Sequence, residues 1–361
     1  MDHYNRQLGC AVGRGSGEVA LRVMELVDRC RRNAARLLQA AHPSQIILTF
    51  NGTDSLNQAI HGLCRSGDHV VVSDQEHNSV TRPLLTLQSA GRIRVTSVAS
   101  KDDGSIDPER FEDAILPETR LVICQHASNV SGLIHPVAEI VEIARIKGCL
   151  SVIDAAQTLG CVPLSVQDLR ADVVCAPGHK GLLGPLGTGI LYLRQGLEAE
   201  MHPYRQGGTG ARSEDELQPV QLPERYESGN HNAPGIAGLD AGLDFVLQRT
   251  PEVIENHHQQ LMDDFRNRLK GLPGLRILGD SSQPRVGLVS IQSELLDVHT
   301  LASLLEQEAG IQSRAGLHCS PAAHRVWGTF PEGTLRFSLG PFNTAEDLEF
   351  ASAAVERFGL I

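Results

Sequence analysis

LSVIDAAQTLGCVPLSVQDLRADVVCAPGHK, residues 150–180, decides the fold. Two short apolar runs, LSVI and ADVVCA, stop at Asp154 and Pro177. Apolar runs of this length, without polar alternation, suit strands buried on both faces. The same rhythm extends backwards: QIILTF before Asn51, HVVVS before Asp74, RIRVTSV, and RLVICQ before His126. Helix-like stretches lie between several of them, such as Ser55–Cys64 and Val137–Lys147, and a longer helical pattern covers Glu18–Ala40. Strands alternating with helices predict an α/β domain with a largely parallel sheet. Ligands of such sheets gather at the carboxyl ends of strands. Asn51–Thr53, Glu76–His77, His126–Asn129, Asp154 and Gly178–Lys180 all stand where a run stops, which predicts one composite site.

The rhythm changes after about Thr250. A helical stretch over Pro251–Leu272 precedes strand-like RVGLVSIQ, a helix near Val298–Ala309, SRAGLHCS, TLRFSL and a last helix. This predicts a large domain over 1–249 and a smaller α+β domain over 250–361, and 361 residues suffice for two cores. A net charge of −11 argues against nucleic acid or an anionic membrane as a partner reached through bulk electrostatics. No apolar run approaches the roughly 18 residues of a membrane span. The first residues, MDHYNRQLGCAVGRGSG, lack a signal-peptide core, so a cytoplasmic location is expected. Eight scattered cysteines show no zinc-type spacing, so no metal is expected. Cys124, Cys149 and Cys175 lie in or beside apolar runs and read as inert core thiols.

Chemistry concentrates in five places. GHKGLLGPLGTGILYL (178–193) sets Lys180 in a cramped glycine-rich turn, where desolvation suits a Schiff-base lysine; a solvated turn lysine fits the same pattern. Asp154, just past a buried strand, can pair with the ring nitrogen of pyridoxal phosphate (PLP) or simply cap a helix. Gln157 could reach the ring hydroxyl. Gly52, Thr53 and Asp54, between a strand and a helix, offer amides and a dipole end to a phosphate, although helix capping alone also explains them. Cys319 lies in RAGLHCSP among polar residues, with Arg314 and His318 close in sequence to favour a thiolate; an isolated cysteine can equally be inert. Arg336, in TLRFSL, is an arginine within a strand and wants a carboxylate, from a substrate or from the protein itself.

NGTD, DQEH, HASNVSG, DAAQ, GHKGLLGPLGTG, RYESGNHNAPGIAGL, RAGLHC and RFSLGPFNT follow one another in this order. Together, over nearly the whole chain, they resemble the class V PLP-dependent enzymes, specifically the cysteine desulfurases and selenocysteine lyases. The short RAGLHC segment is similar to their Suf-type group. The resemblance implies a fold-type-I PLP transferase, with helices on both faces of a mostly parallel sheet and a small C-terminal domain. It also implies roles. Lys180 would carry the cofactor, and Asp154 and Gln157 would hold its ring nitrogen and hydroxyl. His77 would stack on the ring and assist proton transfer, with Asn129 beside ring and substrate. Thr53 and His179 would bind the phosphate. Cys319 would attack the sulfur of L-cysteine, Arg336 would hold the substrate carboxylate, and Arg314 would support carboxylate or thiolate. Lys180 or His77 would remove the α-proton. A homodimer is implied, with Asn230 reaching the partner's phosphate, as is a sulfur-acceptor protein. A selenocysteine lyase, another C–S lyase, or a weakened PLP-binding protein with a regulatory role remain alternatives.

Three departures stand out. Pro177 replaces the family's usual serine, so one phosphate hydrogen bond should be missing. Asn230 replaces a threonine. The family also begins with a YLDNAAT-type segment that lines the active site. This sequence starts after that point, from which a misassigned start or a more open site is expected.

Overall fold

Seven strands form the larger sheet: β1 (Ile46–Thr49), β2 (His69–Ser73), β3 (Arg94–Val98), β4 (Thr119–Gln125), β5 (Leu150–Asp154), β6 (Val173–Pro177) and β7 (Gly189–Leu193), in the order β1-β7-β6-β5-β4-β2-β3. The structure is a computed structural model that describes residues 1–13, 17–210, 215–279 and 283–359; the remaining positions, including Leu360 and Ile361 of the C-terminal segment, lie outside it. Strands β6, β5, β4, β2 and β3 are mutually parallel, whereas β7 runs against both β6 and β1. The predicted parallel sheet is present, and the antiparallel β7 is an addition to it.

The continuous apolar runs have a direct cause. Val71, Val122, Ile153 and Val174 pack into one core, and their neighbours Val70, Leu121, Val152 and Val173 into another on the opposite face. Both faces are covered, so each strand is apolar on both sides. Helix Glu18–Leu38 and helix Ala233–Arg249 belong to the first core, and helix Gly52–Leu63 and helix Asn78–Ser89 to the second.

Thr250 separates helix Ala233–Arg249 from helix Pro251–Leu269. Beyond it, β8 (Leu275–Ile277), β9 (Leu288–Ser293), β10 (Arg314–Gly316) and β11 (Thr334–Ser338) pair antiparallel in the order β10-β11-β9-β8. A core of their own holds Phe265, Val289, Ile291, Leu301, Leu335 and Val355. The register sets Arg314 directly opposite Arg336.

Candidate active site

The carboxyl ends of β1, β2, β4, β5 and β6 lead into Gly52–Thr53, His77, Asn129, Asp154 and Lys180 respectively. Of these, Thr53, His77, Asn129, Asp154 and Lys180 line one cavity of about 190 Å³, with Gln157, His179 and Arg314 also in its wall. Glu76 and His126, which the sequence reading grouped with these positions, do not line this cavity. Arg336 lines an adjoining cavity of about 210 Å³, which shares Gln157 and Lys180 with the first. Lys180 thus stands between the two. Among the described residues, no group of three or more His, Cys, Asp or Glu is arranged to hold a metal.

The lysine turn is tight because its glycines are needed. A Cβ on Gly178 would lie 2.1 Å from Thr188 Oγ1, and one on Gly181 would lie 2.5 Å from the Leu159 carbonyl oxygen. Burial lowers the pKa of Lys180; Asp154 opposes this, while Arg336 and Arg314 add to it. Asp154 is buried and accepts the Ala156 N–H at 2.9 Å. Burial pushes its carboxyl up despite the pull of Lys180. This carboxylate lacks a cation that fully compensates its burial.

Helix Gly52–Leu63 points its amino end at the cavity. Asn51 caps it by accepting the Asp54 N–H at 2.9 Å. Among the described residues, nothing accepts a hydrogen bond from the amides of Gly52 or Thr53. Asp54 departs from the expectation. Its carboxylate faces away from the cavity, accepting the Phe50 N–H at 3.0 Å and pairing with Arg205 at 3.2 Å. A carboxylate would repel a phosphate, and here a cation and an amide hold it elsewhere. The Pro177 ring lies where a Cβ on Gly52 would meet it at 3.1 Å, so proline fills this position by packing and donates nothing. His179 is exposed, and Gln157 makes no hydrogen bond within the described chain. Asn230 is exposed and lies away from the lysine cavity.

Cys319 sits in a strained turn. His318 and Cys319 both have left-handed backbones, φ 49° and 62°. The turn is tied at several points: Asn78 N–H to the Cys319 carbonyl at 2.8 Å, Asn129 Nδ2 to the His318 carbonyl at 2.7 Å, and Ser320 Oγ to Asn129 Oδ1 at 2.8 Å. Arg314 Nη2 lies 3.4 Å from Cys319 Sγ. Asn129 thus spends both ends of its amide on this turn, a use the sequence did not suggest. His318 corrects the expectation of a positive neighbour for the thiol. It is buried against Thr334 Oγ1 at 2.8 Å, and burial with nearby arginines pulls it down to about 3, so it is neutral. The buried Cys124 and Cys175 thiols are pushed well up by burial, as inert core residues should be.

Arg336 donates to the Asn129 carbonyl at 2.9 Å, and its Nε is buried without a partner. Burial and Arg314 bring it down to about 10. Among the described residues no carboxylate pairs with Arg336 or Arg314. One residue, Ser79, escaped the sequence reading. Ser79 contacts both His77 and Thr53, and its signal was a serine two residues past a histidine at a strand-to-helix junction. Glu76 is fully buried, accepting from Ser73 Oγ and from the Gln125 N–H at 2.9 Å, and burial raises it to about 8.

A half-buried lysine, a buried carboxylate and a helix amino end surround one cavity at the strand ends. The chain belongs to the class-V aminotransferase family, whose profile matches residues 1–350. A probable cysteine desulfurase of Methanothermobacter thermautotrophicus is 33% identical over 99% of this chain and 90% of its own length. A cysteine desulfurase of Thermococcus onnurineus NA1, solved in its apo form, superposes with a TM-score of 0.92 at 30% identity, covering 99% of this chain and 89% of that one. The cysteine desulfurase CsdA of Escherichia coli, solved with an S-sulfonic acid, gives a TM-score of 0.88 at 26% identity, covering 99% and 89%.

Proposed function

We propose that this protein is a PLP-dependent cysteine desulfurase, which moves the sulfur of L-cysteine onto Cys319 and releases L-alanine. The observation that carries the reading is the convergence of Lys180, Asp154, Arg314 and Arg336 on adjoining cavities, with Cys319 Sγ beside Arg314, supported by the relatives' names. The division into a large domain to residue 249 and a small one from 250 belongs to the same reading, because Arg314, Cys319 and Arg336 come from the second segment.

The residues fit the cofactor. Asp154 would hold a protonated ring nitrogen, and that positive charge is what its buried carboxylate lacks. The free amides of Gly52 and Thr53 would take the phosphate, with His179 alongside. Gln157 would reach the ring hydroxyl, and Lys180 would hold the aldehyde carbon. When bound, PLP supplies an electron sink for charge developing at the substrate α-carbon.

The protein's own groups do the rest. Arg336 anchors the substrate carboxylate, since among the described residues its Nε is unpaired and no carboxylate competes for it. Lys180 and His77 both face the cavity, and Lys180 is the group that takes the α-proton. Arg314 holds an N–H against Cys319 Sγ. The Cys319 thiolate attacks the substrate sulfur. The carbon–sulfur bond breaks with its electron pair left on carbon, which takes a proton and becomes alanine. The sulfur stays on Cys319 as a persulfide until an acceptor protein or a thiol reductant removes it. A homodimer and a cytoplasmic location complete the reading; no described helix is long and apolar enough to cross a membrane.

The test is chemical trapping. The protein mixed with PLP and then with borohydride should carry the reduced cofactor on Lys180 alone, located by peptide mapping. Label on other lysines, or none, would overturn the assignment.

A further inference from the structure

His77 is built into the helix that follows it. Its backbone, φ −67° and ψ 154°, makes it the cap of helix Asn78–Ser89. Ring Nδ1 accepts the Ser79 backbone N–H at 3.0 Å, and Ser79 Oγ lies 2.9 Å from the same nitrogen. A ring nitrogen that accepts an amide N–H carries no proton. The neutral ring therefore has its hydrogen on Nε2, the only ring nitrogen left for the cavity. Ser79 Oγ is also 2.7 Å from Thr53 Oγ1, so one hydroxyl links the ring to the helix end proposed for the phosphate.

We infer that Ser79 is a positioning residue that holds His77 as a fixed Nε2–H hydrogen-bond donor. A donor in that state has no lone pair on Nε2 with which to accept the substrate's α-proton. Adding a second hydrogen at Nδ1 would break the helix cap and set two N–H groups against each other. The surroundings oppose it as well. Burial, with the positive charges of Lys180, Arg314, Arg82 and Arg336, brings His77 down to about 4. The α-proton is thereby left to Lys180. The inference rests on the proposed function for the identity of that proton, while the state of the ring stands on the geometry around Nδ1.

The closing experiment reads the ring directly, so it does not depend on turnover. Histidine is labelled with 15N, and long-range nitrogen–proton correlations are recorded with and without PLP, His77 being assigned by its loss in His77→Gln. The expected result is a bare Nδ1 and a protonated Nε2, unchanged as pH falls through about 6.5, where an ordinary histidine titrates. An Nδ1–H ring, or a doubly protonated one near neutral pH, would overturn the inference even if the protein is a working desulfurase. In Ser79→Ala, which loses the hydroxyl and its tie to Thr53, a measurable fraction of the Nδ1–H form should appear, and Ser79→Thr should remove it again. A ring identical to wild type in Ser79→Ala would overturn the positioning role of that hydroxyl. A protein that shows the expected ring but releases no alanine from cysteine would instead refute the proposed function.

Discussion

Replacing Asn129 with alanine removes two of the ties on the turn that carries Cys319. The amide of Asn129 donates to the His318 carbonyl at 2.7 Å and accepts from Ser320 Oγ at 2.8 Å, both in the interior. Each buried hydrogen bond contributes about 1 kcal/mol net, and each orphaned partner costs roughly 1–3 kcal/mol, so a loss of about 2–4 kcal/mol in stability is expected. The turn has reason to relax, because His318 and Cys319 sit at φ 49° and 62°, and a left-handed residue costs roughly 1–2 kcal/mol. The Asn78 tie to the Cys319 carbonyl and the His318–Thr334 bond remain, so the turn should shift without unravelling. A shift of about 1 Å at Sγ could lower sulfur transfer on the order of a hundredfold. Arg336 bonds the backbone carbonyl of residue 129, which the substitution leaves in place, so the proposed carboxylate anchor survives. Steady-state alanine release should show kcat falling about a hundredfold with KM changed little, and urea unfolding should show the stability loss. If stability falls as expected while kcat stays within about threefold of wild type, Asn129 does not position the thiol, and the coupling of turn to chemistry is wrong.

Acid should weaken the fold. His126, His135, His258 and His324 are pulled down to about 4 by burial, and His318 to about 3. The unfolded chain binds these protons from about pH 6.5 downward while the folded chain does not, so stability is full above that pH and drains toward pH 4, by up to about 1.4 kcal/mol per pH unit per histidine. Glu76, raised to about 8, works the other way, as do Asp154 and Glu255, also raised by burial, but they are fewer than the histidines; equal urea midpoints at about pH 7 and about pH 5 would contradict this. For the proposed homodimer, sedimentation should give twice the 39.0 kDa chain mass, and a stable monomer with full activity would rule it out.

The sheet and the positions around its carboxyl edge were legible because they depend on local pattern. A buried strand announces itself in runs such as LSVI and ADVVCA, and the residue after it inherits a place at the edge. Lys180, Asp154, His77 and Thr53 came together for that reason. What escaped depends on partners distant in the chain. Asp54 looked available as part of a helix start, but Arg205, 151 residues away, turns it aside. His318 looked like a charged neighbour of the thiol, but the register of β10 and β11 buries it against Thr334. Asn129 is spent on a turn 189 residues further on. The antiparallel β7 was hidden because its apolar run merges with the glycine-rich lysine segment.

The central claim is that Cys319 receives the sulfur. The direct measurement is the intact mass and peptide map of the PLP-loaded protein after a short pulse of L-cysteine, compared with Cys319→Ser treated alike. Cys319 is half-buried beside Arg314, which lines the cavity, whereas Cys30, Cys64, Cys124, Cys149 and Cys175 are buried. The wild type should gain one sulfur atom, reversible by a thiol reductant and located on Cys319. The serine variant should still bind PLP at Lys180 but gain no sulfur and release little alanine. Equal alanine and sulfide from both proteins, or sulfur found on another cysteine, would contradict the account.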